Sequence, residues 1–401
     1  MLERFIKYVK ITTTSKFGKN GKPNNNGQKK LASVIVKELK SLKLDKVYFD
    51  KKHCFVYGLL KGDDSLPKLG FISHLDTSND RFSKDVKVNI IENYDGNDII
   101  LNDKVVIKTN KYPDVKEKKG KTIITSDGNN LLGADNKAGI CEIISMLEYF
   151  CNNNCKHGDI YVCFNSNEEL GIGSEYLNKK YFSPDIAFCV DGNALGDLSY
   201  ENLNSALAEI KINGIMSHYG YAKDIMINAS YVACLLNSML PNETPMNTDG
   251  LEGFYHLKKI KGDISRCNLE YLISDFDIGK FEARKKKLTS VISKLNNKYK
   301  DCINYKINDL YYNVKDILLK KKDIIDKTID IIESTGVYVK IVPNRGCTDG
   351  TGITNKGITC FTIGTGVHNY HSLYEYVCLE DMEMVSKILI ELVKKWWFVM
   401  F

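Results

Sequence analysis

The sequence predicts an α/β protein with an α+β segment inserted into it. Three observations carry that reading: helical and strand-like patterns alternate over the first 200 residues, the order changes after about Ala208, and the first order returns after about Tyr312. In the first region, residues 31–44 have the apolar spacing of an amphipathic helix, and 69–73 read as a short buried strand. Residues 137–150 read as a helix with Ile140, Ile143, Ile144 and Leu147 on one side, followed by strands at 159–166 and 186–191. Helices are expected to flank a mixed, twisted central sheet. The polar run 16–30, rich in Gly and Asn, reads as a loop.

The middle region reads as strand 210–212, helix 225–240, strands 254–260 and 269–276, helix 281–295 and strand 303–307. Such a segment closes on itself as a small sheet with two helices on one face. Beyond it come a helix near 324–332, strands 337–342 and 359–363, and a last helix from Leu379. The expected division is one discontinuous domain, 1–207 with 313–401, and an inserted domain, 208–312.

Composition narrows the class. The chain of 401 residues is 43% hydrophobic and 26% charged, which is ordinary globular material with enough apolar residues for a sizeable core. The opening MLERFIKYVK mixes charges into its apolar residues, so no secretory signal is expected. The apolar run 396–401 is far shorter than the roughly 20 residues that span a bilayer. Twelve cysteines, among them Cys163, Cys189 and Cys234, are scattered rather than spaced as a framework, which fits reduced thiols in the cytosol. The net charge of +6 comes from dispersed Lys without Arg and aromatic clusters, so neither nucleic acid nor membrane is an expected partner. GIGSEY and GTG lack the full pattern of a phosphate-binding loop.

Five short segments carry chemistry. The strand ending GFISHLDTS presents His74 and Asp76 two residues apart, on the same side of an extended backbone, so that His74 can bind a metal while Asp76 orients its ring. In LLGADNKAG, Asp135 stands just before a helix, where capping is the ordinary role. CFNSNEELG delivers Glu168 and Glu169 side by side after an apolar strand, a pairing that suits one ligand and one general base. AFCVDGN ends a buried-looking strand in Asp191, and an acid so placed needs a partner or a metal. GVHNYHSLYEYV carries His368, His371 and Glu375, and by spacing alone either histidine could serve as a ligand.

Taken together, two histidines, three acids, an orienting Asp and a spare Glu match what two adjacent metals sharing one carboxylate require. Nitrogen and oxygen ligands without Cys fit a zinc pair, with cobalt or manganese as substitutes.

These segments resemble the peptidase T branch of the M20 metallopeptidases. The likeness runs from GFISHLDTS through LLGADNKAG, NEELGIG, VDGNALGDL, EGFYHL, SDFD and FEARKKK to RGCTDG, NYH and EYV, nearly the whole chain. It implies an M20-type catalytic domain with an inserted lid and dimerisation domain, and an aminopeptidase acting on tripeptides with two zinc ions per subunit. Asp135 resembles the bridging ligand, with His74 and Asp191 on one zinc and Glu169 and His371 on the other. Glu168 resembles the general base and Asp76 the residue that orients His74. His218, in IMSHYGYAKD, resembles the histidine that such dimers offer across the interface, which implies a homodimer through the lids. Asn228, Arg345 and Thr348 lie in strings that line the substrate site in relatives, where short peptides would bind.

The chain departs from the family pattern at three places. Asn136 stands where a second Asp is usual, Tyr219 replaces the Pro of a His-Pro-Gly string, and Ser274 replaces an Arg before DFD that is implicated in holding a substrate carboxylate. The alternatives are therefore another M20 amidohydrolase, such as a dipeptidase or N-acyl amino acid hydrolase, or a homologue that binds metal with impaired catalysis. Cys151, Cys155 and His157 lack a fourth ligand for a zinc knuckle, and His53 and His256 are most simply structural.

Overall fold

The computed structural model describes residues 1–18, 23–79 and 84–397. Two compact units result: Met1–Tyr200 with Ile317–Val342 and Thr348–Phe401, and Glu201–Asp316 with Pro343–Cys347.

The first unit is built on eight strands, ordered Lys46–Asp50, Phe55–Leu60, Ile160–Asn165, Leu69–His74, Ile186–Val190, Thr359–Ile363, Asp197–Ser199 and Lys340–Ile341. The four central ones are parallel, and Ile72 registers against Cys163 on one side and Cys189 on the other. Their near-continuous apolar runs follow from burial on both faces, which parallel strands covered by helices require. Helix Ala134–Asn152 covers one face, with Ile140, Ile143, Ile144 and Leu147 buried, and helix Leu379–Lys395 packs beside it. Trp396 is buried edge-on to Phe188, ring centroids 5.6 Å apart, so the tail begins as core packing, and residues 398–401 lie outside the described residues.

Three features depart from the sequence reading. Helix Leu2–Val9 was not anticipated, although it buries Phe5, Tyr8 and Val9. The loop expected over 16–30 gives way at Asn26 to helix Asn26–Ser41, while residues 19–22 lie outside the described residues. The first turn of that helix, NGQKK, is polar and so shows no apolar period, and its place is set instead by Gln28, whose Nε2 donates to the Thr13 carbonyl at 2.9 Å. A second antiparallel sheet, ordered Val367–His368, Tyr376–Cys378, Ile123–Ser126 and Val88–Ile91, is made of strands too short to show a period, and it frames the turn that carries His371.

The second unit is an antiparallel sheet, ordered Phe254–Gly262, Arg266–Asp275, Asn204–Asn213 and Ile303–Tyr311. In Asn204–Asn213 the buried Ala206, Ala208, Ile210 and Ile212 alternate with exposed Glu209 and Lys211, so one face is apolar. Helices Ala229–Met239 and Ile278–Lys298 fill that face with Val232, Leu236, Leu288, Val291, Ile292 and Leu295. Asp277 caps the longer helix by accepting from the Lys280 N–H at 2.8 Å. Among the described residues no helix is long and apolar enough to cross a membrane.

Phe188 packs between Phe71 and Phe361 and under Trp396. Truncating it by Phe188→Ala is expected to cost about 3–5 kcal/mol of stability, read as a lower urea midpoint at unchanged slope.

Candidate metal centre

Parallel strands bring their carboxyl ends to one edge of the sheet, and in open α/β sheets ligands bind there. His74 ends its strand, Asn165 lies opposite it and leads into Glu168 and Glu169, and Asp191 follows the end of Ile186–Val190. Asp135 enters from the start of helix Ala134–Asn152, and His371 from the turn between Val367–His368 and Tyr376–Cys378.

The six side chains form two groups joined by one acid. His74 Nε2 lies 3.1 Å from Asp135 Oδ1 and 3.5 Å from Asp191 Oδ1. His371 Nε2 lies 3.3 Å from Asp135 Oδ2 and 3.1 Å from Glu169 Oε1. Asp135 thus offers one oxygen to each imidazole. Glu168 Oε2 stands 3.9 Å from His74 Nε2. Among the described residues, His74, Asp135 and Glu169 form a group of donors whose ligating atoms lie within 4.8 Å of one another.

Asp76 does more than its spacing from His74 suggests. Its backbone carbonyl, rather than its carboxylate, makes the closer contact with the ring, accepting from His74 Nδ1 at 2.9 Å while Oδ1 stands 3.5 Å away. That bond leaves Nε2 free to face the acids. The carboxylate itself accepts from Ser15 Oγ and from the backbone N–H groups of Glu168, at 3.3 Å, and Glu169, at 3.2 Å. One wholly buried acid therefore fixes the histidine and the glutamate pair together.

The electrostatics fit a cationic occupant. Burial, with repulsion from Asp135, raises Glu169 to about 7 against the pull of His371. Burial also drives Glu168 well above the usual carboxyl range, and Asp191 upward against the pull of His74. Asp349, a site neighbour that sequence reasoning missed, is raised to about 7 by burial although Asn165 Nδ2 donates to it at 2.6 Å. Asp135 is the exception: burial opposes its charge, but hydrogen bonds from His371 and His74 hold it below the usual range. Clustered buried carboxyls with nitrogen and oxygen donors and no thiolate are the donor set of divalent metals, which would relieve this repulsion. The residues therefore fit a pair of such ions.

The remaining candidates lie elsewhere or are locally engaged. His368 stacks flat on Tyr376 at 4.7 Å, its Nδ1 is 3.8 Å from Asp114, and burial lowers it to about 4. In the second unit, exposed His218 stacks on Tyr219 and its Nδ1 accepts from the Gly220 N–H at 3.2 Å. Asn228 caps helix Ala229–Met239 by accepting from the Tyr231 N–H at 3.1 Å. Arg345 donates to the carbonyls of Gly250 and Glu252 at 2.8 and 3.0 Å, and to Thr248 Oγ1 at 3.0 Å. In the first unit, Thr348 Oγ1 lies 2.9 Å from Thr362 Oγ1.

Two of the departures have a structural place. Asn136 Nδ2 donates to the Val190 carbonyl at 2.8 Å, a bond that an ionised Asp could not make. Ser274 is wholly buried, its Oγ 2.9 Å from Ser205 Oγ on the neighbouring strand.

The profile of Peptidase family M20/M25/M40 matches residues 122–395. The chain is 41% identical to the peptidase T of Caldanaerobacter subterraneus subsp. tengcongensis, over 98% of both chains. It is 38% identical to the peptidase T of Bacillus subtilis, again over 98% of both. Among solved structures it resembles a tripeptidase from Staphylococcus aureus, with TM-score 0.78 and 19% identity over 98% of this chain and 96% of that one. A dinuclear metal-binding peptidase of the M20 family from Bacillus subtilis superposes with TM-score 0.65 and 11% identity, over 100% of this chain and 98% of that one, a likeness of fold. By its matched profile and by its identity to these relatives along almost its full length, the chain belongs to Peptidase family M20/M25/M40 and, within that family, to the peptidase T group.

Proposed function

We propose that the chain is an aminopeptidase that removes the N-terminal residue from free tripeptides, using two zinc ions held by the buried cluster. The observation that carries the metal reading is Asp135, whose two oxygens face two different imidazoles, each with an acid of its own. His74 and Asp191 would hold one ion, His371 and Glu169 the other, and Asp135 would be shared. Bound zinc supplies a Lewis acid for the scissile carbonyl and lowers the pKa of water.

The proton work falls to Glu168, which stands outside the two ligand groups with Oε2 3.9 Å from His74 Nε2. Its carboxylate takes the proton released as water adds to the peptide carbonyl, and returns it to the amine nitrogen as the carbon–nitrogen bond breaks. Asp76 serves this step by holding the Glu168 backbone and the His74 ring from one carboxyl-bearing residue. We assign Asn228, Arg345 and Thr348 to the substrate side, and His218 with residues 208–312 to a homodimer contact. The exposed Met216, Tyr219 and Tyr221 beside His218 support the last assignment. Buried free thiols at Cys163 and Cys189 support a cytosolic setting.

The second reading, an M20 amidohydrolase with a different substrate, is favoured by Ser274, which presents a buried hydroxyl where the family pattern has a guanidinium. One assay separates the two. Zinc-loaded protein is expected to release the first residue of Met-Gly-Gly, to leave the matched dipeptide and N-acetylated tripeptide intact, and to stop when a chelator is added. Cleavage confined to the dipeptide or the acylated peptide overturns the tripeptide assignment.

Glu168→Ala is expected to lower kcat about 100- to 10,000-fold with zinc content by atomic absorption unchanged; near-parental turnover would remove it as the base. His371→Ala is expected to lower zinc content, whereas His368→Phe, which keeps the stack on Tyr376, is expected to retain it.

A further inference from the structure

Glu375 is 2% exposed and stands four residues beyond His371, in the turn before strand Tyr376–Cys378. Burial of a carboxyl is costly unless its lone pairs are used, and both oxygens of Glu375 are used on a single target. Oε2 accepts from the Gly133 N–H at 2.9 Å and Oε1 from the Asp135 N–H at 3.0 Å. These donors lie at the start of helix Ala134–Asn152, where the capping position is a glycine and offers no side chain to accept from them.

The backbone held in this way is not helical. Gly133 has φ +75°, in the left-handed region, and Asp135 has φ −80° and ψ 102°. Nothing in regular helix geometry would hold Asp135 in that conformation, so the carboxylate of Glu375 supplies an external fixing point. Lys137, 1% exposed, lies nearby: its Nζ donates to the Ile11 carbonyl at 2.9 Å, and burial lowers the amine to about 7 against the upward pull of Glu375.

The same residue closes the turn that carries the second histidine. Asn369 and His371 have φ +54° and +60°, and the turn is stitched by Ser372 Oγ to the Asn369 carbonyl at 2.5 Å and by Asn369 Nδ2 to the Tyr374 carbonyl at 3.2 Å. The Glu375 N–H then donates to the Ser372 carbonyl at 3.3 Å.

We propose that Glu375 is a positioning residue that locks the segment bearing Asp135 to the turn bearing His371, and so sets the separation of the two ion sites that Asp135 would bridge. The inference rests on the two-metal reading. Glu375 stands outside the two ligand groups and acts through the backbone of Asp135, the acid that would be shared.

The test is Co2+ titration of the metal-free protein, followed by visible absorption and chelator competition, for the parent, Glu375→Gln, Glu375→Asp and Asp381→Asn. Asp381 is a buried acid of the same unit, paired with Lys118 at 2.6 Å and Lys121 at 2.8 Å, and it serves as the structural comparator. Glu375→Gln keeps the shape but puts an amide N–H against a backbone N–H. It is expected to lose about 10- to 100-fold in Co2+ affinity, as removal of outer partners of metal ligands does, and to change the cobalt spectrum. Asp381→Asn is expected to lower the melting temperature while leaving affinity and spectrum as in the parent. Should Glu375→Gln fail to fold, Glu375→Asp, which retains the charge on a shorter arm, carries the same expectation with a smaller loss. Parental affinity and spectrum in whichever folded Glu375 variant is measured overturn the proposal. A parent that takes up no cobalt overturns the metal reading itself, and this inference with it.

Discussion

The structure depends on a concentration of negative charge placed where it is least comfortable. Asp76, Asp135, Glu168, Glu169, Asp191 and Asp349 gather at one end of the parallel strands of a mixed sheet, most of them almost fully out of solvent. Water cannot screen such a group, so desolvation, with repulsion behind it, pushes Glu169 and Asp349 to about 7. Much else in the first unit answers that constraint. Asp76 disperses its charge over a serine hydroxyl and two backbone N–H groups, Asp349 takes an amide donor from Asn165, and Glu375 spreads over two more N–H groups. The two imidazoles then face Asp135, Asp191 and Glu169.

This arrangement explains why the site uses the ends of elements. A strand end fixes a Cα while leaving the side chain unobstructed, and a helix start offers N–H groups that favour anions. His74, Asp191 and the glutamate pair use strand ends, and Asp135 uses the helix start. The departure at Asn136 fits the same logic. An amide that donates to the Val190 carbonyl ties the helix start to the strand leading into Asp191 without adding a further charge to a crowded region.

Much of the fold was legible because the central strands are apolar runs bounded by polar residues, and because helix Ala134–Asn152 buries Ile140, Ile143, Ile144 and Leu147 as their spacing implies. The strands of the smaller antiparallel sheet were not legible, since Val367–His368 has two residues and Tyr376–Cys378 three. The polar first turn of helix Asn26–Ser41 was hidden for the same reason, as its place depends on Gln28 reaching Thr13. The gathering of His74, Asp135, Glu169, Asp191 and His371 could be read because each stands in a compact string of its own. Ser15 and Asp349 could not, because a serine in a polar segment and an Asp at a helix start have ordinary local uses, and only the folded chain shows what they face. Asn228, a position read for substrate, also caps a helix by accepting from the Tyr231 N–H.

The bonds from Glu375 to Gly133 and Asp135 span 242 and 240 residues of sequence, and that between Lys121 and Asp381 spans 260. Residues 201–316 are made between the two halves of the first unit. During synthesis, therefore, the segment with His74, Asp135, Glu169 and Asp191 emerges long before its last histidine and its last buried acid. With chains growing at about 5–20 residues per second, that interval is on the order of ten seconds or more. A cluster that needs both ends of the chain is incomplete throughout, so a nascent chain cannot yet gather the full set of groups. Discontinuity in sequence acts here as a delay on the assembly of a hydrolytic centre.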